Sequence, residues 1–119
     1  MAMSGSGLSS PGVTTLAERK HNEASRRKRA ADAAVRELRD HARARGGRYV
    51  LFGSYVTGRM RFDSDLDVMI DFPADRTAEA WLFAEEVGAR NAVPLDLHDA
   101  GTTSAAFRER VMDRGLVLQ

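Results

Sequence analysis

The stretch from Asp65 to Phe72 constrains this chain more than any other. Leu66, Val68, Ile70 and Phe72 alternate with Asp65, Asp67, Met69 and Asp71. Successive side chains on a strand point to opposite faces, so this pattern predicts a β-strand with one apolar face and one carboxylate-rich face. Two other segments can pair with it. Tyr49-Val50-Leu51-Phe52 is a short continuous apolar run ending at Gly53-Ser54, the signature of a buried strand closed by a turn. Pro94 to His98 is a third short strand, with Leu95 and Leu97 inward and Asp96 and His98 outward. Pro73 ends the alternating strand.

Helical patterns separate the strands. Thr15 and Glu18 have capping-box spacing and open a helix that runs to Arg45, where Gly46-Gly47 stop it. Within it Ala31, Ala34, Val35, Leu38 and Ala42 recur at helical spacing. The C-terminal half therefore packs on a core, while Arg19 to Arg29 is more solvated. Ser54 to Arg61 reads as a turn with about one turn of helix. Residues 76–90 form an amphipathic helix carrying Trp81, Leu82, Phe83 and Val87, the two aromatics being most economically core residues. Thr102 or Thr103 caps a final helix containing Ala106, Phe107, Arg110, Val111 and Met112; Gly115 closes it, and Leu116-Val117-Leu118 adds an extended stub. The order is α-β-β-α-β-α, with no internal repeat. Residues 1–13 are Gly/Ser-rich and read as a disordered tail, which leaves 14–119 as one domain with a long basic N-terminal helix.

Composition removes several function classes. With no cysteine there is no disulfide scaffold, thiolate zinc site or thiol catalysis. No apolar run approaches the ~20 residues of a membrane span, and the first residues lack the basic start and apolar centre of a signal peptide. The expectation is a cytoplasmic protein without membrane contact. A net charge of +1 hides a split: residues 14–48 carry eleven Lys/Arg against five Asp/Glu, and residues 63–100 carry ten Asp/Glu against two Arg. One half can meet an anion and the other can hold a cation.

The candidate chemistry lies at Gly53-Ser54, ten residues, then Asp65-Leu66-Asp67. Carboxylates at i and i+2 of a strand share a face with β-carbons about 6–7 Å apart. Their oxygens can bridge metal ions about 3.5–4 Å apart. Hard oxygen ligands select Mg²⁺ or Mn²⁺ over softer metals. If the strand holding Asp96 lies beside 65–71, three carboxylates converge and repel one another unless a cation neutralises them. Gly53 allows backbone to approach a phosphate closely, Ser54 offers a hydroxyl and an N–H, and a short helix starting there points N–H groups at an anion. Gly58 permits a second close approach, and Arg59 and Arg61 can neutralise phosphate charge. A lone Gly-Ser is usually a turn and a lone Asp-x-Asp usually a solvated strand edge; the combination at this spacing is what carries the reading.

Phe52-Gly53-Ser54 with Gly58, then Ser64-Asp65-Leu66-Asp67, resembles the signature of the DNA polymerase beta-like nucleotidyltransferase superfamily. The compact spacing and short length resemble its minimal nucleotidyltransferase (MNT) branch, over about residues 30–119, including the closing Val111-Met112-Asp113-Arg114-Gly115-Leu116-Val117-Leu118. The resemblance implies an α+β, two-layer fold: a small mixed sheet with helices packed on one face. It implies Asp65, Asp67 and Asp96 as catalytic metal ligands, with two Mg²⁺ ions, and Ser54 as the holder of the β- and γ-phosphates of ATP. The implied reaction is in-line attack of an acceptor hydroxyl on the α-phosphorus with release of pyrophosphate. Asp96 can also help to deprotonate the acceptor. Family members often carry a basic residue just before the second glycine; here that residue is Thr57, and Arg59 or Arg61 are its candidate replacements.

Proteins of the minimal branch are commonly antitoxins that transfer AMP to a tyrosine of a HEPN-type RNase toxin, so the resemblance implies such a toxin as partner. Aminoglycoside-modifying relatives usually carry an added helical domain, and only 21 residues follow His98. A non-catalytic module that neutralises a toxin by contact is the reading of a different class. Arg26-Arg27-Lys28-Arg29 is either a solvated helix face, a docking site for an acidic partner, or the one place for nucleic-acid contact; without interleaved aromatics it is not a base-stacking surface. Tyr55 either stacks near the nucleotide or packs locally.

Overall fold

The structure, a computed structural model, describes residues 15–119; the expected tail over 1–13 lies outside the described residues. Helix α1 (Leu16–Arg45) begins with the capping box that Thr15 and Glu18 predict: Glu18 N–H donates to Thr15 Oγ1 at 3.0 Å and Thr15 N–H to Glu18 Oε1 at 3.1 Å. It ends at Gly46, whose left-handed φ of 77° turns the chain into β1 (Arg48–Phe52). A four-residue helix α2 (Ser54–Thr57) and a loop lead to β2 (Leu66–Asp71). A 3₁₀ turn (Ala74–Arg76) enters α3 (Thr77–Asn91), followed by β3 (Leu95–Asp99), α4 (Ala105–Arg114) and β4 (Leu116–Leu118). The final stub is thus a true strand. The cap of α4 is Ser104, whose Oγ accepts from Phe107 N–H at 3.1 Å, and not Thr102 or Thr103. Both threonines donate their N–H to Asp99 O and close the turn before the helix.

The mixed sheet has the order β3-β2-β1-β4, with β2 and β3 parallel and the other pairs antiparallel. Its register sorts the apolar residues into two layers. Tyr49, Leu51, Leu66, Val68, Ile70 and Leu118 form one core with Ala31, Ala34, Val35, Leu38 and Ala42 of α1 and Ala80, Ala84 and Val87 of α3. All five α1 positions read from the spacing are buried. Trp81 and Phe83 pack at the border of this core, whereas Leu82 is 60% exposed.

The two longer helices therefore share one face, as expected, but α4 lies on the other. There Val50 and Met69 are fully buried with Val111, and Phe52, Phe107, Met112 and Val117 pack against them. The reason is visible in β2: Met69 shares the face of the carboxylates, and an apolar side chain in mid-sheet needs a cover. Helix α4 covers the part of this face around Met69, and Asp67 lies one alternation further toward the start of the strand.

Candidate active site

Three strand ends build the site. Antiparallel pairing sets Phe52 opposite Asp67, and parallel pairing sets Asp67 opposite Asp96. Gly53 follows Phe52, so it abuts the Asp67 side chain. A β-carbon on Gly53 would fall on Asp67 Oδ2 and lie 3.2 Å from its Cγ. Gly53 also has φ 77° and ψ −148°, a combination open essentially to glycine alone. The backbone conformation by itself calls for glycine here, and an added β-carbon would in addition displace the end of the Asp67 side chain.

The electrostatics are those of crowded like charges. Burial first, then Asp96 and Asp65, push the Asp67 carboxyl above the ordinary aspartate value, with His98 opposing. Asp96 remains 55% exposed, and its Oδ2 lies 3.3 Å from His98 Nε2. The His98 ring is bracketed by Phe52 and Phe107, at centroid separations of 5.5 and 5.3 Å. Among the described residues no group of three or more His, Asp or Glu side chains is gathered closely enough to hold a metal ion, so Asp65, Asp67 and Asp96 do not form a ready-made three-carboxylate site. The donor chemistry is nonetheless that of a hard cation: all-carboxylate oxygens, one of them destabilised by its neighbours' charge. A cation such as Mg²⁺ normally completes its shell with water and substrate phosphate rather than with an all-protein cage.

On the phosphate side, Ser54 Oγ has no hydrogen-bond partner among the described residues and is available to a ligand. Gly58 has φ 73° and open space where a β-carbon would stand, and its neighbour Arg59 donates its N–H to Ser54 O at 2.9 Å. Arg61 lies only 4.0 Å from Asp63 in an exposed pair. The remaining acidic residues behave as surface groups: Asp71 pairs with Arg48 at 2.6 Å, Glu79 lies 3.8 Å from Arg45, and Asp99 Oδ1 accepts from Gly101 N–H.

A small, largely apolar cavity of about 250 Å³ opens beside Gly53, between Phe52, Val56 and Thr57 and the α4 residues Phe107, Arg110, Val111 and Arg114. The sequence reading did not bring α4 to the site. The signal present was the 107, 110, 111, 114 spacing, which places these residues on one helix face.

The chain belongs to the nucleotidyltransferase domain family: the model of that family matches residues 32–116. The resemblance read from the Gly-Ser and Asp-x-Asp motifs holds at this level. One solved structure, "Crystal structure of the toxin-antitoxin with AMP-PNP", has the same fold, with a TM-score of 0.54 and 23% identity over 71% of this chain and 72% of that one. No curated protein matches the chain. Among the described residues no helix is long and apolar enough to cross a membrane.

Proposed function

We propose that this domain transfers AMP from ATP to a hydroxyl of a protein partner, and that the partner is a toxin of the HEPN RNase type modified on tyrosine. The observation that carries the reading is the junction of Gly53-Ser54 with the register pair Asp67 and Asp96. A phosphate-approachable turn and a cation-demanding carboxylate cluster meet there across adjacent strands. The structural neighbour, described as a toxin-antitoxin with AMP-PNP, supports both an adenine triphosphate and a toxin partner.

In this reading Ser54 Oγ and the backbone at Gly53 and Gly58 hold the β- and γ-phosphates, and Arg59 neutralises part of their charge. Asp65, Asp67 and Asp96 would hold the divalent cations, two Mg²⁺ ions in this reading, for which Mn²⁺ could substitute. Bound there, the ions would supply charge neutralisation at the reacting phosphate and a more acidic acceptor hydroxyl. The acceptor oxygen forms a bond to the α-phosphorus as the bond to the β-phosphate oxygen breaks. Pyrophosphate leaves with that electron pair. In the same reading Asp96, whose Oδ2 lies 3.3 Å from His98 Nε2, helps to take up the acceptor proton, unless the metal-lowered acidity of the hydroxyl suffices. Positioning and charge neutralisation supply most of the rate in such transfers. The reaction belongs in the cytoplasm, where ATP and Mg²⁺ are abundant.

The test uses ATP labelled at the α-phosphate, Mg²⁺, and the product of a neighbouring HEPN-type gene. Label should pass to the toxin and disappear in the Asp65→Asn, Asp67→Asn double variant. If the double variant still protects cells and the unaltered protein never labels the toxin, the protein acts by contact alone. Labelling of an aminoglycoside instead would reassign the acceptor to a small molecule.

A further inference from the structure

Helix α1 grips both ends of the segment, α2 and its following loop, that joins β1 to β2. On one side, Tyr55 Oη donates to Asp32 Oδ1 at 2.6 Å. Lys28 Nζ donates to the same carboxylate at 2.9 and 3.2 Å and lies 5.2 Å from the Tyr55 ring centroid. Burial works to raise the Asp32 carboxyl, but the hydrogen bonds from Tyr55 and Lys28 outweigh it and hold the group ionised below the ordinary value. Burial, then Asp32, push the Tyr55 phenol up to about 12, so it stays a donor. On the other side, Arg27 Nη1 donates to Ser64 O at 2.6 Å. Ser64 is itself tied to Arg61: its Oγ accepts from Arg61 N–H at 2.7 Å and its N–H donates to Arg61 O at 3.1 Å.

Tyr55 directly follows Ser54, and Ser64 directly precedes Asp65. The chain between these two points holds only the four-residue α2 and a loop, and a helix of one turn is not stable by itself. The two anchors lie five positions apart on α1, about 7.5 Å along its axis. We propose that Arg27, Asp32 and Tyr55 are positioning residues: through them α1 acts as a brace that sets the separation between the phosphate-binding turn at Ser54 and the metal-ligating carboxylates that begin at Asp65. This rests on the functional reading of Ser54 and Asp65 given above. It also gives part of the basic segment an internal task. Arg27 is spent on the loop, Lys28 on Asp32, and Arg26 on Glu23 one turn earlier.

The test measures ATP affinity by calorimetry with Mg²⁺, kcat and KM for ATP in AMP transfer, and amide exchange. Tyr55→Phe removes one hydrogen bond and keeps the ring; ATP affinity should fall about fivefold, with kcat changed less. Asp32→Asn keeps an acceptor for Tyr55 and should retain most of the affinity. Arg27→Ala should lower kcat about tenfold with KM for ATP within twofold, and Arg27→Lys should recover part of the loss. Exchange should quicken over residues 54–59 in Tyr55→Phe and over 62–66 in Arg27→Ala, with β1 and β2 interiors unchanged. Unchanged affinity, kcat and exchange in both variants would overturn the proposal, as would exchange rising across the whole sheet. If the unaltered protein neither binds ATP nor transfers AMP, the functional reading fails on its own. The brace is then decided by exchange alone: quickening confined to these loops supports it, and its absence refutes it.

Discussion

Gly53→Ala tests the geometry of the site at its tightest point. Two costs add. The backbone at φ 77° and ψ −148° lies in a region that residues with a β-carbon avoid, at a cost of about 1–3 kcal/mol. The new methyl also lands on Asp67 Oδ2, well inside the 3.0 Å that real β-carbons keep, so the carboxylate must shift by about 1 Å. A combined loss of about 2–3 kcal/mol lowers Tm by about 10–15 °C in a domain of this size. A 1 Å displacement of a reacting constellation costs on the order of a hundredfold in rate, so AMP transfer should fall by about that factor even well below the new Tm. Gly46→Ala is the control: it has the same φ of 77° but nothing within 4 Å of its β-carbon. It should cost about 1 kcal/mol and leave transfer untouched. The assays are thermal denaturation followed by circular dichroism and transfer from α-labelled ATP at 20 °C. If Gly53→Ala keeps transfer within threefold of the unaltered protein, the claim that Gly53 and Asp67 form one site is refuted.

Other outcomes follow from the same structure. Asp67→Asn removes a charge that Asp96 and Asp65 repel, so Tm should hold or rise while transfer falls at least a hundredfold; a loss of Tm would show that the carboxylate supports the fold. Tyr49 Oη donates to Ala80 O at 2.8 Å inside the core, and Tyr49→Phe should cost about 1–2 kcal/mol in urea titration by stranding that carbonyl. The His41 ring stacks on Phe83 at a centroid distance of 4.0 Å, and its buried Nε2 has no hydrogen-bond partner among the described residues. Burial first, aided by Arg45 and opposed by Glu79, holds His41 below its ordinary 6.5. The unfolded chain therefore takes up this proton first. Stability should decline as pH falls below about 6.5 and level off below the folded-state value. His41→Phe should flatten that slope between pH 7 and pH 5, and an unchanged slope would place the effect elsewhere.

Short-range patterns made much of the fold legible. The capping box at Thr15, the five-residue core stripe of α1 and the alternation of 65–72 each depend on residues a few positions apart; the first two appear where their spacing puts them, and the strand covers Leu66–Asp71, which leaves Asp65 exposed just before it and Phe72 just after it. The pairing of Asp67 with Asp96 was legible only as a condition, because alternation gives the face of each strand but not which strands are neighbours. What lay beyond reach was nonlocal. Nothing near Met69 says that α4 will cover it, and nothing in three consecutive hydroxyl residues says that Ser104, not Thr102 or Thr103, meets the helix start. The Arg27 and Asp32 contacts span 37 and 23 residues, and no periodicity connects them.

The parallel register of β2 and β3 also works as an error check on the site. Asp67 and Asp96 meet because their backbones pair, while their neighbours Val68 and Leu97 meet on the opposite face, toward α1 and α3. Sliding β3 by one residue would turn Asp96 toward that apolar layer and Leu97 out of it. A chain that misassembles the carboxylates therefore also spoils its own core and has no stable place to rest. Folded molecules with a scrambled site are penalised by the same burial that builds the domain, so correctness of the catalytic pair is inherited from the integrity of the fold.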